Sequence, residues 1–120
     1  MINNINQLNN KINNEEIKYK NGKYIGQVVN GLREGKGIYY FNNGDRYEGE
    51  WRNDNKEGKG IYYYNNGDIY EGDWKKNKKE GKGIMYYNNG DRIMGNFSNN
   101  KPIGKHVMLT KDGEVQTFNN

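Results

Sequence analysis

The chain has 120 residues, a length that suits a single domain, and it contains no Cys, which excludes disulfides, zinc–thiolate sites and thiol catalysis. Its net charge of +4 comes from interleaved basic and acidic residues, without the dense basic stripe of a nucleic-acid-binding protein. No apolar run approaches the roughly 18 residues that a membrane-spanning helix needs. With 17 Gly and 13% aromatic residues, the composition favours thin β structure over a core of packed aliphatic side chains.

Residues 1–16 precede any repeat and are predicted to form an Asn-rich tail or an N-terminal cap. Ile2, Ile5, Leu8 and Ile12 have helix-like spacing, but Asn is a poor residue for a helix interior, and both alternatives stay open. The first 20 residues lack the continuous apolar stretch of a secretory signal, so we expect a cytoplasmic protein. We attribute the 23 Asn residues to AT-rich coding rather than to function.

Residues 17–115 are predicted to form one repeat domain. A partial opening repeat at 17–23 is followed by three gapless 23-residue blocks at 24–46, 47–69 and 70–92. Each block opens with Tyr-x-Gly, carries Gly-Lys-Gly nine residues after that first Gly, and closes with Asn-Asn-Gly-Asp. A degenerate block spans 93–115, and residues 116–120 are predicted to form a C-terminal tail. In the degenerate block, His106 replaces a Gly, and we interpret it as a surface residue without a role.

The Asn-Asn-Gly-Asp segments lie between aromatic and β-branched runs, a pattern that predicts β-hairpins. If residues 65–67 form a three-residue loop, Tyr62 faces Tyr70 and glycines face each other across the strands. A two-residue turn would instead pair Tyr63 with Tyr70. We prefer the first register because paired glycines leave hollows that large rings can cover.

The predicted fold is all-β, an elongated single-layer antiparallel sheet of successive β-hairpins. In the second block we expect strands at about 47–52 and 58–64, and side chains alternate between the two faces. The predicted inner face carries Tyr24, Tyr39, Tyr47, Trp51, Tyr62, Tyr70, Trp74 and Met85. The predicted outer face carries Glu48, Glu50, Lys59, Glu71, Asp73 and Lys82.

The sequences Tyr-Glu-Gly-Glu/Asp-Trp, Gly-Lys-Gly and Asn-Gly-Asp, at constant spacing, resemble the MORN (membrane occupation and recognition nexus) repeat. The resemblance covers residues 24–92 well and 93–115 weakly, with Val28 in place of Trp in the first block. It implies a solenoid of successive hairpins and a role in binding or assembly, since MORN arrays occur as scaffolds, dimerisation modules and membrane-associated modules. We expect no room for a catalytic domain beside the repeats.

Two sets of residues are candidates for binding. The first is an aromatic face that would bind a protein partner or a second copy, and it comprises Tyr47, Trp51, Tyr62, Tyr70 and Trp74. The alternative is that these rings are simply the core. The second set is a predicted loop at 75–79 with four Lys in five residues, which would attract anionic phospholipids such as phosphatidylserine or phosphoinositides. Its members are Lys75, Lys76, Lys78 and Lys79, and the alternative is a solvated loop.

The sequence offers no set of nucleophile, base and orienting group, so we expect no enzyme, no catalytic residues, no metal and no cofactor. We interpret the carboxylate pairs of the outer face as solvated side chains with cross-strand partners such as Lys59 and Lys82. The repeated Gly-x-Gly leads into strands rather than into a helix, so we interpret it as structural. The expected protein is a non-enzymatic interaction, scaffold or self-association module. The alternative is a peripheral adaptor at a membrane, and attachment to the cytoskeleton is also open.

Overall fold

The structure is a computed structural model that describes residues 13–120. Successive strands pair antiparallel in one open sheet whose order follows the chain, with principal extents of 61 × 27 × 22 Å. This confirms the elongated, single-layer, all-β fold. Within residues 13–120, no helix is long and apolar enough to cross a membrane. The strands are β1 (Asn13–Tyr19), β2 (Gly22–Val29), β3 (Leu32–Phe41), β4 (Arg46–Arg52), β5 (Asn55–Tyr63), β6 (Ile69–Lys75), β7 (Lys78–Tyr86), β8 (Arg92–Ser98), β9 (Lys101–Leu109) and β10 (Val115–Asn119).

The wide turn between β5 and β6 has the preferred three-residue geometry. The Tyr64 amide donates to the Asp68 carbonyl at 2.9 Å, and Gly67 adopts a left-handed φ of 97° that favours glycine. Tyr62 therefore pairs with Tyr70, and glycines pair with glycines across β5 and β6. The predicted register is confirmed, and the two-residue alternative is wrong.

The hairpins at the other ends of the strands have tight two-residue turns that the sequence analysis missed. Asn53 and Asp54 have φ values of 46° and 71°, and Lys76 and Asn77 have φ values of 47° and 69°. Positive φ at both central residues matches the right-handed twist of a hairpin. Strand β5 consequently begins at Asn55 rather than near 58.

The Asn residues of the turns tie each repeat to its neighbour. The Asn88 amide donates to Asp68 Oδ1 at 2.8 Å, and its side chain donates to the Asn66 carbonyl at 2.7 Å. At the other ends of the strands, among the tight turns, Asn77 Oδ1 accepts a hydrogen bond from the Lys56 amide at 2.8 Å. These bonds satisfy backbone groups that no strand pairs, so these Asn side chains have a structural role.

The inner face is the core, and it forms because large rings cover paired glycines. A Cβ atom on Gly60 would overlap the ring of Tyr47, so only glycine admits that ring so close to the sheet. Tyr47 is fully buried, and its ring meets Trp51 and Trp74 edge-on at 5.3 and 5.2 Å. Such contacts add about 0.5–1.5 kcal/mol each beyond the buried area. The predicted inner-face residues all belong to this cluster or pack against it.

Both ends of the sheet extend further than expected. Strand β1 begins at Asn13, so residues 13–16, assigned to the N-terminal tail or cap, pair with β2. Residues 116–119 of the predicted C-terminal tail belong to β10, which pairs with β9. The helix-like spacing of residues 2–12 lies outside the described part of the chain. In addition to the eight strands of the four 23-residue blocks, the sheet therefore contains β1, which overlaps the partial opening repeat at 17–23, and β10.

The interpretation of His106 as a surface residue is wrong, because it is fully buried. Its ring stacks on Phe118 at 5.5 Å and meets Phe97 edge-on at 5.7 Å. It also occupies the space over Gly95. In the central blocks a Tyr fills the corresponding space, but here that position is Ile93, and His106 fills the hollow instead.

Candidate functional site

The aromatic residues that we considered for partner binding lie in the core. Tyr47 and Tyr70 are 0% exposed, Trp51 is 4% exposed and Trp74 is 5% exposed, while Tyr62 is half-buried. The Tyr47 hydroxyl donates to the Glu50 carbonyl at 2.9 Å, so its polar end is also satisfied within the chain. Four of the five rings therefore have almost no surface to offer, and the alternative interpretation as a core fits their burial.

Basic side chains at equivalent positions of three blocks cover this aromatic face. The Lys56 ammonium lies 4.9 Å from the Trp74 ring and 5.1 Å from the Tyr62 ring. The Arg33 guanidinium lies between 4.5 and 5.6 Å from three rings, and the Lys79 ammonium lies 5.0 Å from two. Cations at such distances are attracted to the ring faces. The sequence analysis missed this feature, although a basic residue recurs every 23 positions.

Burial shifts the pKa values of Lys and Tyr side chains on the aromatic face in the direction that favours their neutral forms, as expected in a core. Burial, together with the charges of Arg33 and Lys79, lowers the pKa of Lys56 to about 8. Burial also raises the pKa of Tyr47 and of Tyr70 well above the usual value. These phenols stay neutral near pH 7 and act as hydrogen-bond donors rather than bases.

The predicted Lys-rich loop at 75–79 does not exist as a loop. Lys75 ends β6, Lys76 and Asn77 form the tight turn, and Lys78 begins β7. Lys79 points into the aromatic face and is only 9% exposed. Because the turn contains only two residues, it exposes three Lys side chains rather than the four expected.

The opposite face of the sheet carries a row of side chains that pair across consecutive strands, and we call it the Ile–Glu row. It lines a groove of about 1010 Å³ that continues beyond Glu71 into a hollow of about 430 Å³. No strand from residues 13–120 packs over it. The sequence analysis described this face by its charges and missed the Ile that follows every Gly-Lys-Gly. The members of the row are Ile25, Ile38, Glu48, Ile61, Glu71, Ile84 and Met94.

Charged side chains border the Ile–Glu row. Lys59 forms a cross-strand ion pair with Asp73, which confirms the expected kind of partnership. Arg46 Nε lies 3.1 Å from Glu48 Oε1, but its N–H is not aimed at that oxygen, and Arg46 Nε has no hydrogen-bond partner among residues 13–120. The Arg46 guanidinium also lies over the Tyr63 ring, 4.0 Å from its centre. Glu48 is thus ion-paired with Arg46 at the border of the row.

Across residues 13–120, no three His, Cys, Asp or Glu side chains come close enough together to hold a metal ion. The Gly-Lys-Gly segments lie inside strands such as β5 and β7. A phosphate loop needs a helix N-terminus, so their interpretation as structural glycines is confirmed.

Comparisons with known proteins identify the repeat but no individual relative. The family profile "MORN repeat" matches residues 24–46, 47–69 and 70–92, with the same bounds as the three blocks found from the sequence. No curated protein matches the chain. Because the matched residues make up more than half of the 120 residues, and because the sheet consists of the hairpins that the repeat implies, the chain belongs to the MORN repeat family.

Proposed function

We propose that this protein is a non-enzymatic MORN-repeat module that binds a protein partner, or a second copy of itself, through the Ile–Glu row. The observation that carries this proposal is the uncovered groove along one face of a single-layer sheet. Contiguous apolar surface that is rimmed by polar residues is typical of interaction sites. MORN repeats are known in protein-associated and membrane-associated modules, which fits a binding role.

The contrast between the two faces supports the choice of surface. The aromatic face is filled by its own rings and covered by its own cations, as at Lys56. On the Ile–Glu face, Ile25 is 40% exposed, and Ile38 and Ile61 are half-buried. Covering these side chains would remove apolar surface from water at about 25 cal/mol per Å². A partner therefore gains more by docking on the Ile–Glu row than on the aromatic face.

The test is a double substitution, Ile38→Lys with Ile61→Lys, which places two charges in the groove. We expect the double variant to lose partners or self-association that the unaltered chain shows in pull-down and in sedimentation velocity. The control is Ile103→Lys, because Ile103 is 45% exposed and lies outside the groove. If the folded double variant keeps the same partners and the same oligomeric state, the proposal is wrong.

A second candidate function is attachment to anionic phospholipids through Lys75, Lys76 and Lys78. These three side chains are exposed at one tight turn, and each contributes about 1 kcal/mol near an anionic surface. Co-sedimentation with phosphatidylserine or phosphoinositide vesicles tests it, with the three Lys changed to Glu. A control changes two exposed Lys at the far end of the sheet, Lys18 and Lys20, to Glu and is compared with the change of Lys75 and Lys76 alone. Binding that does not respond to salt or to the first set of changes contradicts this candidate. Cytoplasmic location, at a membrane or the cytoskeleton, is part of the same proposal.

A further inference from the structure

We infer that the tight turn formed by Asn30 and Gly31 is a site of covalent modification, at which Asn30 loses ammonia and becomes aspartate or isoaspartate. The reaction is spontaneous, and water is its co-reactant. An Asn side chain reacts most easily with the next backbone nitrogen when the following residue is glycine, because glycine has no side chain to hinder the approach. The chain contains five Asn-Gly sequences, at 21–22, 30–31, 43–44, 66–67 and 89–90.

The reaction takes place within the backbone of the turn. The Gly31 nitrogen loses its proton and attacks Cγ of Asn30. An N–Cγ bond forms, the Cγ–Nδ2 bond breaks, and Nδ2 leaves as ammonia with that proton. Water then opens the resulting succinimide ring at either carbonyl, which gives aspartate or isoaspartate. Isoaspartate adds a methylene group to the backbone of a two-residue loop, and loop length sets the turn type of a hairpin, so this product changes the β2–β3 hairpin.

The Asn-Gly sequences that close the three central blocks lie in wide turns that hold both reacting groups. Between β5 and β6, the Gly67 amide donates to the Tyr64 carbonyl at 3.0 Å. Asn66 Oδ1 accepts a hydrogen bond from the Asp68 amide at 2.9 Å. The same two hydrogen bonds recur at 43–44 and at 89–90. In each wide turn, both bonds would have to break before the glycine nitrogen could attack.

The Asn-Gly sequence at 21–22 is held by the sheet. Gly22 is buried at the start of β2, which pairs on both sides. The Asn21 carbonyl accepts a hydrogen bond from the Asn42 amide at 2.8 Å, which fixes the peptide group that carries the Gly22 nitrogen. The Asn21 side chain accepts another from the Tyr39 hydroxyl. Attack at this site is therefore restrained as well.

The turn at Asn30 and Gly31 differs from the other four sites. Both residues are exposed, with left-handed φ values of 51° and 77°. Among residues 13–120, no hydrogen bond holds the Gly31 amide or the Asn30 side chain. A Cβ atom on Gly31 would have no neighbour within 4 Å in that part of the chain, apart from the adjacent residues. The reacting groups of this turn can therefore approach each other at the lowest cost.

The later tight turns lack this combination of features. They contain no glycine, so a side chain on the following residue hinders the attack. They are also tied to the preceding block, as where the Asp54 amide donates to the Arg33 carbonyl at 3.0 Å. The structure thus singles out Asn30 among the Asn residues of both kinds of turn.

The test is peptide mapping of the full chain by mass spectrometry after incubation in mildly alkaline buffer, with fragmentation that separates aspartate from isoaspartate. We expect Asn30 to react about tenfold or more faster than the Asn of any wide turn, because breaking two hydrogen bonds of ordinary strength corresponds to a factor of that size. In guanidinium chloride these hydrogen bonds are lost, and the rates at the five Asn-Gly sequences should become similar.

The matched variant is Gly31→Asn, which copies the turn at Asn99 and Asn100, where φ is 53° and 71°. It should keep the circular dichroism of the sheet and lose most of the reaction at Asn30. The assignment of Asn30 is overturned if a wide-turn Asn reacts as fast in the folded chain, if Asn30 keeps its lead in guanidinium chloride, or if Gly31→Asn leaves the rate unchanged. None of these measurements involves a partner, so they do not depend on the proposed function.

Discussion

The two faces of the sheet come from the same 23-residue repeat and are finished in opposite ways. On the inner face, paired glycines such as Gly49 and Gly60 create hollows, and rings from the same chain fill them. On the other face the neighbouring positions are Ile and Glu, and they line a groove that no strand from residues 13–120 covers. A single-layer sheet can thus cover one face with its own side chains, whereas its second face is not covered in this way.

The largest expected effect is on the inner face, at Trp74. Its ring is 5% exposed and meets Tyr47 and Tyr70 edge-on at 5.2 and 5.4 Å, while its Nε1 donates to the Gly60 carbonyl at 3.1 Å. We expect Trp74→Ala to lower the free energy of unfolding by about 3–5 kcal/mol. Urea denaturation measures the change.

The control for Trp74→Ala is Ile61→Ala in the open groove. Ile61 is half-buried and, among residues 13–120, does not belong to the aromatic core cluster or pack against it, so we expect less than half the loss of stability. Equal losses at the two positions would mean that both faces contribute alike to the core and that the groove is not a free surface.

The next effect concerns the glycine beneath a ring. Gly60→Ala would push a methyl group into the Tyr47 ring, and overpacking of this kind costs about 1–3 kcal/mol. The neighbouring change Lys59→Ala affects the other face and should stay within about 0.5 kcal/mol. Thermal unfolding followed by circular dichroism compares the two. A harmless Gly60→Ala would show that the ring can move aside, and the account of the inner face would then fail.

The last block allows a test of how rings and glycines depend on each other. Ile93→Tyr alone should clash with the buried His106, and His106→Gly alone should leave a cavity over Gly95. The double variant recreates the Tyr and Gly pair of the central blocks. We expect the two changes to be non-additive by about 1 kcal/mol in favour of the double variant. Additive losses in urea denaturation would indicate that the two positions do not share one space.

Much of the inner face could be predicted from the sequence because glycine in a strand has few explanations. The spacing of Tyr, Gly and Trp fixed which residues share a face, and Asn-Asn-Gly-Asp fixed the wide turn. The family profile then matched the same three blocks. These features are local, and they repeat at constant spacing, so a single chain contains three independent examples of each.

The features that could not be predicted depend on backbone conformation and strand alignment, which the residue pattern does not show. The turn at Asn53 and Asp54 has no glycine, and only its observed left-handed backbone reveals it. Because the equivalent turn at Lys76 and Asn77 is also tight, strand β7 starts at Lys78 and turns Lys79 inward, which changes a predicted lipid-binding side chain into a cover for the core. The groove was missed because alternating Ile and Glu read as a polar face, and a cross-strand row appears only when the strands are aligned.

The last expected effect is a pH dependence that distinguishes charges on the two faces. Burial lowers the pKa of Lys56 from 10.5 to about 8. Between those values the unfolded chain holds a proton that the folded chain has lost, so the free energy of unfolding rises with pH, by at most about 1.4 kcal/mol per pH unit. Lys79, whose pKa is also lowered by burial, acts in the same direction. Tyr24, whose pKa burial raises to about 12, opposes it above about pH 10, where unfolded tyrosines ionise.

Urea denaturation from pH 7.5 to 10 should therefore show a rise that Lys56→Met reduces, since Met keeps the apolar stem without the titrating amine. Lys59→Met removes an amine from the other face, where the side chain is exposed and paired with Asp73. It should leave the slope of stability against pH unchanged. If Lys59→Met flattened the slope and Lys56→Met did not, the desolvated charge would lie on the groove side, and the assignment of closed and open faces would have to be exchanged.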